Sequence, residues 1–186
     1  MTVRVLILPG LSDSGAEHWQ SHWEQRYSGL KRVKQDDWVT PACADWVQNL
    51  QKAFSKSNRP TVLVGHSLAC TLIARWAQQY PQEARQVRGA LLVAPSDTEA
   101  DSYPTGTSGF TPMPLEPLPF DSITVASTND PYVSVARATQ FSQAWGSELV
   151  WLDNAGHING SSGMAAWPKG IELLFELTGD PQFKSA

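Results

Sequence analysis

Five short apolar runs, none alternating with polar residues, constrain this chain more than any other feature. They are Val3 to Leu8, Thr61 to Val64, Gly89 to Val93, Ile123 to Ala126 and Leu149 to Leu152. A strand with one wet face alternates, whereas a strand covered on both faces does not. These runs therefore predict the buried strands of a parallel sheet. A sixth segment, Arg32 to Trp38, is polar and suits only an edge strand. Segments with helical spacing lie between the runs. Cys43, Trp46, Val47, Leu50, Ala53 and Phe54 recur at helical intervals, with Thr40 as a cap and Pro41 in the first turn. Ala136, Phe141, Ala144 and Trp145 mark a further helix, closed by Gly146. Trp167, Ile171, Leu174 and Phe175 mark another, closed by Gly179. The order reads β-α-β-α-β-α-β-loop-β-α-β-α. Right-handed crossovers then place helices on both faces of the sheet, an α/β class, three-layer α/β/α sandwich with about six parallel strands.

Residues 95–119 break this alternation. Pro95, Pro104, Pro112, Pro114, Pro117 and Pro119, with Gly106 and Gly109, make the segment too proline-rich for a helix. Excursions of this length are usually functional or mobile, and this one is expected to form a minimal cap. The length of 186 residues suits one domain, 1–186. Hydrophobic residues make up 41%, enough for a core. The net charge is -4 and the 14 Lys and Arg are scattered, which argues against a nucleic-acid partner. No apolar run approaches the roughly 20 residues of a membrane helix, so no membrane partner is expected. The N-terminus reads as a first strand rather than a secretory signal. Cys43 and Cys70 are too few for a disulfide scaffold. A cytoplasmic, reduced setting follows as the expectation.

The sharpest motif follows the run at Thr61. Gly65-His66-Ser67-Leu68-Ala69 stands between a strand and a helix, as in the nucleophile elbow of an α/β-hydrolase. A serine on a sharp turn projects its hydroxyl beyond the sheet's edge. Gly65 leaves room for that turn, and position 69 must be small. The usual glycine is replaced there by Ala69, and a bare helix-capping serine fits the pentapeptide too. The elbow demands an acid and then a histidine, in that order. His157, in the glycine-flanked loop Asp153 to Gly160, is the one histidine downstream of Ser67. Asp130 follows the run ending at Ala126; Asp97, after the preceding run, is its rival. Asp130 also suits a plain turn before Pro131. An acyl-enzyme mechanism assigns Ser67 as nucleophile, His157 as base and Asp130 as the orienting acid. The oxyanion would be held by the backbone N–H groups of Leu68 and Leu11. Gly10, His66, Trp19 and Trp151 are candidate substrate contacts.

Other signals fail. Gly10 to Gly15 matches a phosphate-loop spacing, but Ala16 and Glu17 replace the required Lys and Ser/Thr. His18 and His22 have zinc-ligand spacing, but Trp19 stands where a zinc protease needs Glu and no third ligand is evident. No metal and no cofactor are expected.

Pro9-Gly10 with Ser14-Gly15 and His18-Trp19, the Gly65 to Leu68 block, Asp130-Pro131-Tyr132-Val133 and Gly156-His157-Ile158-Asn159-Gly160 resemble the small serine hydrolases of the retinoblastoma-binding protein 9 family. The similarity spans nearly the whole chain, and its last two blocks are the specific ones. The resemblance implies a reduced α/β-hydrolase fold with six parallel strands and a triad carried onto Ser67, Asp130 and His157. The expected activity is hydrolysis of a small ester, thioester or activated amide, with a small-molecule acyl substrate as partner. Two alternatives keep the same frame: a non-catalytic protein-binding module, and an acyltransferase using the same triad. The sequence names no protein partner.

Overall fold

The computed structural model describes residues 3–184. Six strands, β1 (Arg4–Leu8), β2 (Leu30–Arg32), β3 (Thr61–His66), β4 (Val87–Val93), β5 (Ser122–Ser127) and β6 (Glu148–Leu152), form one sheet. Every pairing is parallel, in the order β2-β1-β3-β4-β5-β6. The connecting helices are α1 (Trp19–Arg26), α2 (Cys43–Phe54), α3 (Leu68–Gln79), α4 (Pro81–Ala84), α5 (Val135–Trp145) and α6 (Pro168–Thr178).

The apolar runs do not alternate because the two faces feed two separate cores. Leu6, Leu8, Leu63, Ala90 and Leu92 pack with α2, α3 and α5 through Trp46, Leu50, Ile73, Trp76 and Phe141. The intervening Val5, Ile7, Val62, Val64, Leu91 and Val93 pack with α1 and α6 through Trp19, Trp23, Ile171 and Leu174. The central strands thus carry apolar side chains on both faces. Each fully buried side chain of this size contributes about 1.5–3 kcal/mol.

The chain runs from β1 out to the edge at β2, then returns to β3 and proceeds the other way. The switch lies between β1 and β3. Loops leaving those two strands diverge, so a crevice opens at their carboxyl ends.

Three local expectations are corrected. The edge strand is Leu30–Arg32 rather than Arg32 to Trp38. Gly29, at φ 85°, turns the chain into register with Leu30 opposite Val5. One further bond, from the Val33 amide to the Ile7 carbonyl at 2.8 Å, ends the contact. Asp37 then bends the chain by accepting from the amides of Val39 and Thr40. Thr40 is occupied with that carboxylate and does not cap α2. The Cys43 amide donates instead to the Ser108 carbonyl at 2.8 Å, from a segment distant in sequence. Finally, β6 is an edge strand and only half covered, despite its apolar composition.

Residues 95–119 contain neither helix nor strand, but they are tied down. Phe110 and Met113 are buried, and Trp145 donates its indole N–H to the Pro114 carbonyl at 2.8 Å. Among the described residues no helix is long and apolar enough to cross a membrane.

Candidate active site

The elbow forms as β3 passes directly into α3. Ser67 sits between them at φ 58°, ψ -123°, a backbone conformation that costs a non-glycine residue about 1–3 kcal/mol. Close packing makes the turn possible. A Cβ on Gly65 would lie 2.7 Å from Ile73 Cδ1 and 3.3 Å from the Ala69 carbonyl. A Cβ on Gly10 would lie 2.8 Å from Ser67 Cβ and 2.9 Å from the His66 carbonyl oxygen. Gly10 therefore lets the loop after β1 approach the elbow. It is not part of the pocket wall, so its expected substrate contact is replaced by this packing role.

Ser67, Asp130 and His157 meet above the carboxyl end of the sheet. His157 Nε2 lies 2.9 Å from Ser67 Oγ. His157 Nδ1 lies 2.9 and 3.0 Å from the two carboxylate oxygens of Asp130. The Asp130 side chain is fully buried. It also accepts from the Tyr132 amide at 2.9 Å, and the Tyr132 ring meets the His157 imidazole edge-on. The rival Asp97 is engaged elsewhere, accepting from Arg137 Nε at 2.7 Å and Nη2 at 2.9 Å.

The loops carrying Asp130 and His157 are bonded to each other. Asn129 Oδ1 accepts from the Gly156 amide at 2.7 Å, and Ser127 Oγ from the Ala155 amide at 2.9 Å. From below, the fully buried Trp19 donates its indole N–H to the Ile158 carbonyl at 2.8 Å. Trp19 packs against Trp23 and Trp167, off the pocket wall. Trp151 lies on β6, 37% exposed and also off the wall. Neither tryptophan meets its expected role as a substrate contact. Their positions on α1 and β6 turn both rings away from the crevice.

His66 does line the pocket. Its Nε2–H donates to the His157 carbonyl at 2.9 Å. Burial, then the nearby His157 and His18, holds its pKa well below the ordinary value, so the ring stays neutral. The sequence assigns His18 no role at the site. It caps α1 by accepting from the Gln20 amide and stands on the pocket wall, 4.7 Å from the His66 ring centroid. Burial, then Arg32 and His157, lowers its pKa to about 4. His22 contributes no second ligand, and among the described residues no His, Cys, Asp and Glu group has the makings of a metal site.

The pocket in front of Ser67 has a volume of about 600 Å³. Leu11, Tyr103, Pro104 and Tyr132 give it an apolar side; Asp13, Glu17, Asn159 and Ser161 give it a polar one. Leu68 is the first residue of α3, so its amide has no partner within the helix. Among the described residues the Leu11 amide likewise donates to no protein acceptor. Ser96 Oγ, which no sequence motif flagged, lies 2.7 Å from Ser67 Oγ. The two cysteines stay outside this chemistry. Burial raises the thiol pKa of both, Cys43 to about 11, so neither is a thiolate at neutral pH.

A parallel six-stranded sheet of this order, with a serine on a strained strand-to-helix turn, defines an α/β-hydrolase fold. The chain belongs to the serine hydrolase family, whose model matches residues 5–176. A YdeN-like hydrolase from Pectobacterium atrosepticum is 34% identical, with a TM-score of 0.83 over 96% of this chain and 91% of that one. The hydrolase YdeN of Bacillus subtilis is 24% identical over 184 residues, 94% of this chain and 95% of its own. The type II thioesterase BorB of the borrelidin biosynthetic cluster shares the fold at 14% identity, with a TM-score of 0.67 over 96% of this chain and 92% of that one. These relatives place the chain in the wider family and do not single out the retinoblastoma-binding protein 9 group.

Proposed function

We propose that this hydrolase cleaves a small ester, thioester or activated amide through an acyl-enzyme on Ser67. One observation carries the reading: His157 bridges Ser67 Oγ and the buried Asp130 carboxylate with contacts of 2.9 Å on each side. A neutral imidazole in that position has its proton on Nδ1, facing the carboxylate. Nε2 is then free to take the Ser67 proton as Oγ attacks a carbonyl carbon. Asp130 keeps this tautomer and stabilises the imidazolium that forms. The leaving group departs with the proton from His157, and water later releases the acyl group. The N–H groups of Leu68 and Leu11 receive the oxyanion, helped by the positive end of the α3 dipole. In this scheme Ser67 supplies the nucleophile, His157 the base and water the second substrate, so no step calls on a cofactor.

The pocket supports a small substrate. Residues 95–119 act as a fixed cap in this reading, since Tyr103 and Pro104 stand on the pocket wall. The acyl group rests against Leu11, Tyr103 and Tyr132. The resemblance to the retinoblastoma-binding protein 9 group belongs to the same reading, because it rests on the Asp130 and His157 blocks.

A fluorophosphonate probe tests the proposal. It should label the wild-type protein at Ser67, and Ser67→Ala should abolish both labelling and turnover of a chromogenic ester. Folded wild-type protein that takes no label would overturn the reading in favour of a binding scaffold. Product analysis with competing alcohols or amines separates hydrolysis from acyl transfer.

A further inference from the structure

We infer that Ser96 is a further catalytic residue, a hydrogen-bond donor to Ser67 Oγ that chiefly assists release of the acyl group. The inference rests on the acyl-enzyme reading above.

The direction of the Ser96–Ser67 bond follows from proton counting. With His157 neutral, its Nδ1–H must face Asp130, since two acceptors cannot confront each other at 2.9 Å. Nε2 therefore accepts, and the one Ser67 proton is spent on it. The 2.7 Å contact between Ser67 Oγ and Ser96 Oγ can then exist only if Ser96 donates. Among the described residues Ser96 Oγ has no other hydrogen-bond partner, and the residue is 1% exposed. Within the protein its hydroxyl has no other acceptor, and the residue borders the pocket beside Ser67.

The backbone holds Ser96 there from both sides. Ala94, at φ 48°, donates its amide to the Val125 carbonyl at 2.8 Å. Asp97 donates its amide to the Tyr132 carbonyl at 2.9 Å, and its carboxylate is gripped by Arg137. Burial would favour an apolar side chain at a site this enclosed. A hydroxyl aimed at the nucleophile instead suggests a chemical use.

Differential stabilisation assigns the step. A donor accelerates a step only if its bond strengthens between ground state and transition state. In the resting enzyme Ser67 Oγ is a good acceptor, so the Ser96 bond is already strong before attack, and acylation gains little. In the acyl-enzyme, Oγ is an ester oxygen whose lone pair is delocalised into the carbonyl, a poor acceptor. During deacylation water adds to the acyl carbon and His157 takes its proton. The carbon–Oγ bond then breaks, its electron pair passes to Oγ, and Oγ recovers a proton from His157 as the carboxylic acid leaves. Charge develops on Oγ at that moment, and the Ser96 bond becomes strong again.

The test is a comparison of acylation with deacylation in wild type and Ser96→Ala. Fluorophosphonate labelling reports attack by Ser67; steady-state turnover of p-nitrophenyl acetate, with intact-protein mass, reports deacylation. Ser96→Ala should label within about threefold of wild type, while kcat and KM both fall roughly tenfold, the effect of losing one bond to a charged group. The acetylated enzyme should accumulate, with a burst of nitrophenol. Turnover within twofold of wild type and no accumulated acetyl-enzyme would overturn the inference. So would a loss of labelling matching the loss of turnover in a folded variant. If Ser96→Ala melts early, Ser96→Cys decides: a near-isosteric but weak donor should show the same slow deacylation, and wild-type turnover in it sinks the idea. Failure of the wild type itself to label is a different result and removes the acyl-enzyme reading.

Discussion

At the scale of single residues, the two carboxylates after β4 and β5 divide their roles by what they touch. Asp130 meets the imidazole, whereas Asp97 is held by Arg137. We expect Asp130→Asn to lower kcat roughly 10⁴-fold with the fold intact, because an amide facing Nδ1 favours the wrong tautomer. Asp97→Asn should cost about tenfold or less, since it loosens only the support of Ser96. Steady-state kinetics on one ester, with circular dichroism as the folding control, checks both. Near-equal losses would remove Asp130 from its assigned role. Gly10 gives a steric prediction. Gly10→Ala forces a methyl to within 2.8 Å of Ser67 Cβ, so the loop bearing the Leu11 amide must retreat. Loss of one oxyanion donor corresponds to about 100–1000-fold in kcat with KM little changed.

At the scale of elements, the site is a junction of loops braced by elements behind it. α1 illustrates the principle. Its Trp19 stands off the pocket wall, but its indole holds the Ile158 carbonyl one residue beyond His157. Trp19→Phe keeps most of the ring packing and removes that donor, leaving a buried carbonyl unpaired. We expect a stability loss of about 1–3 kcal/mol, read as a lower urea midpoint at unchanged slope. Turnover should fall while KM stays near wild type. A raised KM with unchanged kcat would instead return Trp19 to the substrate wall. The segment 95–119 is braced comparably by Phe110, Met113 and the Trp145 indole. Its prolines exclude regular structure but do not leave it loose.

At the scale of the whole molecule, two buried histidines make stability depend on pH. His18 has a pKa of about 4, and His66 is also held well below its ordinary value, both chiefly through burial. In an unfolded chain each takes a proton near pH 6.5. Between about pH 4 and 6.5 the unfolded state thus binds more protons, and stability rises with pH, by up to ~1.4 kcal/mol per pH unit for each excluded proton. This stabilisation is complete above about pH 6.5 and is lost as the pH falls toward 4. Urea midpoints at pH 4.5 and 7.5 measure it. His18→Asn keeps a side chain able to cap α1 and removes one proton site, so its midpoint should fall less on acidification. An equal fall in variant and wild type would exclude His18 as a source.

Much of this protein was legible in the chain alone, because some demands are local. Uninterrupted runs such as Val3 to Leu8 betray a strand buried on both faces, and a strand–Gly65-His66-Ser67–helix junction betrays a strained turn. The order of Ser67, Asp130 and His157 along the chain singles out three side chains that the fold brings within hydrogen-bond distance. Non-local facts were illegible. Where β2 ends depends on its register with β1, and the first amide of α2 is satisfied by Ser108, far away in sequence. Trp19 and Trp151 carry rings able to line a pocket, but only packing decides which way a side chain faces. Ser96 has no motif at all; its meaning is a 2.7 Å contact across 29 positions of chain. Sequence fixes what each segment can bury, since burial follows composition and period; only the folded chain decides which hydroxyl, imidazole and amide meet, since that depends on how distant segments pack.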